Sequence, residues 1–227
     1  HTQRVVVEES EDRIYVLSSD DPATLAVFSA DDHSLLRSRS IDGRMMDLAL
    51  ASDGAHVYVA LNEGGLKVLV LEADLADAPL NTLTLPEANG AHLRLAVAAT
   101  GRLYALNGNN QRVYAWDDPL NDSASERLAA SPVADEVRDL ILSPDGDRIM
   151  VADKGNGEVR VLDGKDSSLP LSSKIVSDVP PDKLAAVDTS GGQRLYVAHK
   201  AGKAMRIFGF APDAADPAPK IAAPVTL

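Results

Sequence analysis

Ser143-Pro144-Asp145-Gly146-Asp147-Arg148-Ile149-Met150-Val151-Ala152-Asp153 is the stretch from which the fold can be worked out. Its first four residues spell a tight turn. Proline presets φ, Asp bonds the backbone just ahead of it, and Gly supplies a positive φ. Apolar runs lie on both sides: Asp139-Leu140-Ile141-Leu142 before the turn and Ile149 to Ala152 after it. A polar loop follows, Lys154-Gly155-Asn156-Gly157, and then Glu158-Val159-Arg160-Val161-Leu162 alternates polar with apolar. Period-2 alternation marks a half-buried strand. The unit thus reads as strand, turn, strand, loop, strand, with a looser fourth strand to close it.

The same order recurs along the chain. Asp53-Gly54-Ala55-His56-Val57-Tyr58-Val59-Ala60, Thr100-Gly101-Arg102-Leu103-Tyr104-Ala105 and Gly191-Gly192-Gln193-Arg194-Leu195-Tyr196-Val197-Ala198 are further copies. A weaker one comes first, Glu11-Asp12-Arg13-Ile14-Tyr15-Val16-Leu17. Tyr15, Tyr58, Tyr104, Met150 and Tyr196 align, at spacings of 43, 46, 46 and 46. Four strands at this period are the signature of a propeller blade. The expected fold is therefore all-β, a β-propeller of five four-stranded antiparallel blades in one domain. The blades run over residues 1–41, 42–86, 87–133, 134–179 and 180–227. The most uniformly apolar first strand of each belongs nearest the axis, and the fourth at the edge. Pro219 and Pro224 in the last strand suit an edge. The connections are too short for the crossover helices of a parallel sheet.

The Ser143–Asp153 stretch, with Gly157-Glu158-Val159-Arg160-Val161-Leu162-Asp163 after it, resembles the YVTN-type repeat of bacterial and archaeal propellers. The likeness extends over all five units and is strongest in the fourth. Similar repeats occur in YncE-like periplasmic proteins, surface-layer-associated proteins, 6-phosphogluconolactonase-like propellers and quinoprotein amine dehydrogenase heavy chains. The motif consists of turn and core residues, so it speaks for fold and says little of function. Relatives of this type usually carry seven or more blades. A closed five-bladed ring is expected, with part of a larger propeller, or a ring completed by another chain, as the alternatives.

The 227 residues carry 34 acidic and 22 basic side chains, a formal charge of −12. Such a surface repels phosphate backbones and anionic lipid, so nucleic acid is not an expected partner. No apolar run reaches the roughly 18 residues of a membrane span, so no membrane insertion is expected. Cysteine is absent, which excludes disulfides, thiolate nucleophiles and Cys-ligated metals. The sequence begins at His1. Removal of a signal peptide would produce such an end, and a periplasmic or secreted, cell-surface location is the expectation. Asn121-Asp122-Ser123 fits a glycosylation acceptor.

Propeller ligands normally meet the loops that enter the inner strands and those that join strands two and three. Near the axis these contribute Arg44, Asp47, His92, Arg94, Glu136, Arg138, Asp139 and Lys183. Farther out lie Asp20, Asp21, Asn62, Glu63, Asn107, Asn109, Asn110, Asp153, Asn156 and His199. Arg44, Asp47, His92, Arg94, Arg138, Asp139, Lys183 and His199 are the candidate ligand or partner face. Asp47 and Asp139 occupy the same place in their repeats. They are candidates for Ca²⁺, or for neutralisation by Arg94 and Arg138. No cofactor is expected beyond that cation. There is no His-x-x-x-His pair, no Gly-x-Ser-x-Gly elbow and no P-loop. The three Phe, five Tyr and one Trp are few for a sugar or choline site. The leading expectation is a non-catalytic extracytoplasmic scaffold that binds a protein through a propeller face. A lactonase-like hydrolase and a cation-binding propeller are the alternatives.

Overall fold

The computed structural model describes residues 2–8, 12–18, 23–76, 78–85, 92–122, 127–128, 136–166, 168–176, 179–190, 192–200, 204–210 and 220–226. Strands account for most of them, and no helix is present among the described residues. In chain order the strands are β1 (Thr2–Glu8), β2 (Arg13–Ser18), β3 (Ala23–Ser29), β4 (Leu35–Ile41), β5 (Arg44–Leu50), β6 (His56–Asn62), β7 (Leu66–Glu72), β8 (Asn81–Thr84), β9 (Leu93–Val97) and β10 (Leu103–Asn107). They continue with β11 (Arg112–Trp116), β12 (Arg127–Leu128), β13 (Val137–Leu142), β14 (Arg148–Asp153), β15 (Glu158–Asp163), β16 (Leu171–Val176), β17 (Lys183–Thr189), β18 (Gly192–His199), β19 (Ala204–Phe210) and β20 (Lys220–Thr226). Consecutive strands pair, giving five four-stranded sheets ordered β1-β2-β3-β4, β5-β6-β7-β8, β9-β10-β11-β12, β13-β14-β15-β16 and β17-β18-β19-β20. Each sheet corresponds to one repeat of the sequence and is called a blade below.

The turn between first and second strands repeats in backbone detail. Gly54 N donates to Ala51 O at 3.1 Å, Gly101 N to Ala98 O at 2.9 Å and Gly146 N to Ser143 O at 2.8 Å. Gly146 holds φ at 75°, which a side chain would strain. In the fourth blade Asp145 Oδ1 accepts from Asp147 N at 3.0 Å and from the Ser143 hydroxyl. Burial alone would push the Asp145 carboxyl up. The bonds from Ser143, Asp147 and Gln193 outweigh it and hold the group below its ordinary value.

The chain divides into two compact units, residues 1–109 with 114–126, and residues 110–113 with 127–227. Within the first, β1 packs on β5 and β5 on β9. Tyr15, Leu17, Leu25 and Val27 of blade one interleave with Met45, Leu48, Val57 and Val59 of blade two. Tyr15 is fully buried, and its hydroxyl donates to Ala73 O at 3.0 Å across that seam. Ser52 Oγ donates to Ala99 O at 3.1 Å between blades two and three. Within the second unit, β13 packs on β17. Met150, Ala152 and Val159 meet Leu184, Leu195 and Val197 there. The aligned position of the repeat is thus an inter-blade packing position where Tyr15 and Met150 occupy it.

Candidate functional site

Two residues beyond the aligned position, the second strands carry Leu17, Ala60, Leu106, Ala152 and Ala198. Their partners on the inner strands are Arg4, Asp47, Arg94, Asp139 and Lys183. One register position therefore alternates basic, acidic, basic, acidic, basic from blade to blade. Simple counting by 46 conceals this. The ladder skips a residue between Met45 and Asp47 and again between Val137 and Asp139, while β9 pairs without a break. The first turn of blade three is also one residue shorter, Ala98 N bonding Arg102 O where Ala51 N bonds His56 O and Ser143 N bonds Arg148 O, and this makes Arg94, not Leu93, the counterpart of Asp47. Arg4, absent from the sequence-derived candidates, belongs to the same row.

Both carboxylates reach across to the next blade in the same way. Asp47 is 1% exposed, and its Oδ2 accepts the Leu95 N–H at 2.9 Å. Asp139 is 5% exposed, and its Oδ2 accepts the Leu184 N–H at 3.0 Å. In each case the acceptor serves the residue just after the basic member of the following blade. Basic groups flank the acids. Arg4 Nε lies 3.3 Å from Asp47 Oδ1, close enough for an ion pair but not aligned as a hydrogen bond, and that oxygen has no hydrogen-bond donor. Arg94 extends to the same neighbourhood, its Nη1 3.4 Å from Met46 O. Lys183 Nζ stands 3.3 Å from Asp139 Oδ1. Burial pushes the Asp47 carboxyl above its ordinary value. The Arg4 and Arg94 charges and the Leu95 N–H draw it down without cancelling that rise.

The expected neutralisation of Asp139 by Arg138 is corrected by this geometry. Arg138 bonds Glu136, which Lys154 also approaches at 3.2 Å. Lys183, on the neighbouring blade, takes the place of Arg138. For Asp47 the nearest guanidinium recorded is Arg4, with Arg94 as a second positive charge.

The remaining candidates are dispersed. Arg44 is exposed at the start of β5, opposite Asn62. His92 is exposed just before β9, and its carbonyl accepts from Gly108 N at 2.8 Å. His199 is 2% exposed. Its Nδ1 is 3.1 Å from Pro180 O, and since a carbonyl only accepts, Nδ1 carries the proton. Its Nε2 is buried without a hydrogen-bond partner. His199 ends its second strand, at the position held by Asn107 and Asp153 in two other blades. Those two are fully buried and tie down the loop that follows. Asn107 Oδ1 accepts from Asn109 N at 3.0 Å. Asp153 accepts from Asn156 N at 3.1 Å and Asn156 Nδ2 at 2.8 Å, and pairs with Arg160 at 3.0 Å. His33 lies in an exposed turn and His56 beside Asp53, 3.1 Å away. Asp20, Asp21 and Ser123 lie outside the described residues.

A calcium ion at Asp47 or Asp139 would have to compete with a backbone N–H for Oδ2 and with a flanking cation for Oδ1. Among the described residues no three His, Asp or Glu side chains converge as a metal set. What this row does, chemically, is join inner strands.

No family model matches the chain, and no curated protein matches it by sequence. Solved structures do match by shape. A chain of the mitotic checkpoint complex superposes with a TM-score of 0.79 at 10% identity, over 100% of this chain and 65% of that one. A functionally unknown protein from Desulfotomaculum acetoxidans gives 0.78 at 13% identity, over 98% and 69%. A protein from Lactobacillus plantarum gives 0.74 at 18% identity, over 99% and 71%. The chain spans 65–71% of the length of these three solved chains. Five consecutive antiparallel four-stranded sheets, together with these likenesses, establish the fold class as an all-β propeller.

Proposed function

We propose that the chain is a non-catalytic extracytoplasmic propeller, of the YVTN-type repeat kind, that acts as a protein-interaction scaffold. The observation that carries this reading is the use made of the inner-strand charges. The two acids that a catalytic or cation site would draw on are spent on the Leu95 and Leu184 amides. A general base must have its oxygen within hydrogen-bond reach of a substrate proton; here each Oδ2 is engaged by a backbone amide, and each Oδ1 is buried beside a basic side chain. The checkpoint-complex neighbour is itself a member of a complex, and a rigid blade array that presents its loops to a partner is the use proposed here. The periplasm or cell exterior is its proposed setting. Osmotic-shock fractionation of source cells tests that part.

Incubating the purified chain with simple lactones and phosphate esters tests the rest. The expected result is no turnover above background. Turnover that disappears in His92→Ala, an exposed residue whose loss leaves the core intact, would contradict the scaffold reading and favour a lactonase-like hydrolase.

A further inference from the structure

Residues paired across a ladder share a face, so the outer strands can be compared blade by blade. In blade two, Leu83 of β8 lies opposite Val68 and Asn81 opposite Val70. Leu83 is fully buried. Asn81 Nδ2 donates to Pro119 O at 2.9 Å and to Asp122 O at 2.6 Å, carbonyls of the loop after β11 in blade three. In blade four Ile175 holds the place of Leu83, opposite Val159, and is 1% exposed. Blade one departs from this pattern. The same two positions of β4, opposite Leu25 and Val27, are Arg39 and Arg37. Only Ile41, next on that face, is apolar and buried.

Beside the arginines runs a cavity of about 570 Å³. Arg37, Ser38 and Arg39 line it from blade one, and Leu75, Ala76 and Ala78 from the loop between β7 and β8 of blade two. Both walls belong to the first compact unit. The far wall is pinned in place. The Tyr15 hydroxyl donates to Ala73 O at 3.0 Å, and Asp74 Oδ1 accepts from Ala76 N at 2.8 Å. Leu75 holds φ at 58°, a backbone that leucine rarely adopts, and its side chain is buried in the seam between the two blades.

Ser38 points away from the face that carries Arg37 and Arg39, yet all three line the cavity, so it follows the edge of β4 as well as its face. In its sheet β4 neighbours β3 alone. It runs for 7 residues without proline, whereas β8 has 4 residues and β20 contains Pro224. The outward edge of such a strand offers alternate N–H and C=O groups to another chain. A strand added there would lie about 4.8 Å away and send every second side chain between the arginines and the Leu75 wall. Residues 37 and 39 stand about 7 Å apart along the strand, the spacing of those alternate side chains. A guanidinium is a fork of donors matched to a carboxylate. In a chain of formal charge −12, β4 carries two arginines and no acid.

We propose that this groove binds an extended acidic segment of a partner protein, with Asp or Glu at alternate residues, added as a fifth strand to blade one. The inference rests on the scaffold reading and gives it a partner chemistry. The β4 edge of a second copy does not fit, because edge-to-edge pairing would set arginine against arginine.

An N-acetylated fluorescent peptide of alternating Glu and Thr is the probe, titrated with the full chain and read by anisotropy. Saturable binding is expected, and the matching Gln and Thr peptide should bind at least about tenfold more weakly. Arg37→Gln with Arg39→Gln should weaken the Glu peptide by a similar factor. Lys165→Gln, a like change at an exposed cation of blade four, should not. Two further peptides carry N-methyl groups, one on every Glu and the other on every Thr. One set of amides faces β4 and the other faces solvent, so one of these peptides should lose binding and the other keep it. The peptide comparisons use the wild-type chain and decide the matter even where a variant does not fold. No binding of the Glu peptide overturns the proposal, as does equal binding of the Gln peptide or equal binding by the double variant. Retention by both methylated peptides shows charge attraction without strand addition and overturns it too. None of these failures touches the scaffold reading itself, which stands or falls on the turnover assay.

Discussion

Asp47 is the residue on which the physical account is most sharply drawn. Its carboxylate gains a hydrogen bond to a buried amide and an ion pair, and it pays for them in lost hydration. Removing the acceptor leaves the Leu95 N–H without a partner. Asp47→Ala is therefore expected to lose about 1–3 kcal/mol in urea denaturation at neutral pH. Asp47→Asn keeps an oxygen for that amide and sheds the buried charge, so its loss is the smaller. The pH dependence has a definite sign. The folded protein holds the Asp47 proton more tightly than the unfolded chain does, because burial raises the carboxyl's pKa. This group's contribution to stability is fullest at low pH. It falls as pH rises from the ordinary Asp range through the raised value. Asp47→Asn lacks that titration, so the variant should gain on wild type across the same window. A variant that loses ground there contradicts the assignment. Asp32 gives the opposite case at the surface. The Ser34 amide and hydroxyl and the Ser29 hydroxyl hold its carboxyl at about 2. A carboxyl titration followed by NMR should find it there, and a value near 4 would show that the turn is not formed in solution.

At the scale of the strand, one register position compares two outcomes. Leu48 and Val5 are equivalent in pairing but opposite in exposure. Leu48→Ala empties a packed seam and should cost about 2–5 kcal/mol. Val5→Ala removes a half-solvated side chain and should stay within about 0.5 kcal/mol. Comparable losses at the two positions would mean that the first blade's outer face is covered. Gly43 marks where β4 hands over to β5. Its φ is 94°, and a Cβ there would lie 2.6 Å from Glu63 Cβ and 2.9 Å from Asn62 O. Gly43→Ala should thus destabilise by about 1–3 kcal/mol, read from the thermal midpoint. The turns and ladders were legible beforehand because Asp-Gly pairs and period-2 alternation report local geometry. The charged row was only half legible. Asp47 and Asp139 stand out by spacing, but the shorter first turn of blade three moves its inner strand one place against the second. Arg94 therefore joins the row only once pairing is known, whereas Arg4 stands 43 residues before Asp47, as Tyr15 does before Tyr58. His199 was equally opaque: nothing in Ala198-His199-Lys200 signals that the imidazole is buried against Pro180 O.

For the whole molecule, the repeat makes the fold a series of like seams, and stability of such arrays is approximately a sum over neighbours. The same seam chemistry recurs in both compact units, Asp47 to Leu95 in one and Asp139 to Leu184 in the other. If these carboxylates serve the seams, calcium at millimolar concentration should leave the melting temperature unchanged. A cation bound by the native state alone would raise it by mass action. A calcium-dependent rise in wild type that is absent from the Asp47→Asn, Asp139→Asn double variant would instead support the cation-binding alternative.

The most direct test of the seam assignment is native-state hydrogen exchange at the Leu95 and Leu184 amides. Both should be protected in wild type to the level of neighbouring ladder amides. Asp47→Ala should release Leu95 by about tenfold or more while Leu184 stays protected, and Asp139→Ala should do the reverse. If each amide keeps its wild-type protection when its own carboxylate is removed, the acids do not bridge the blades.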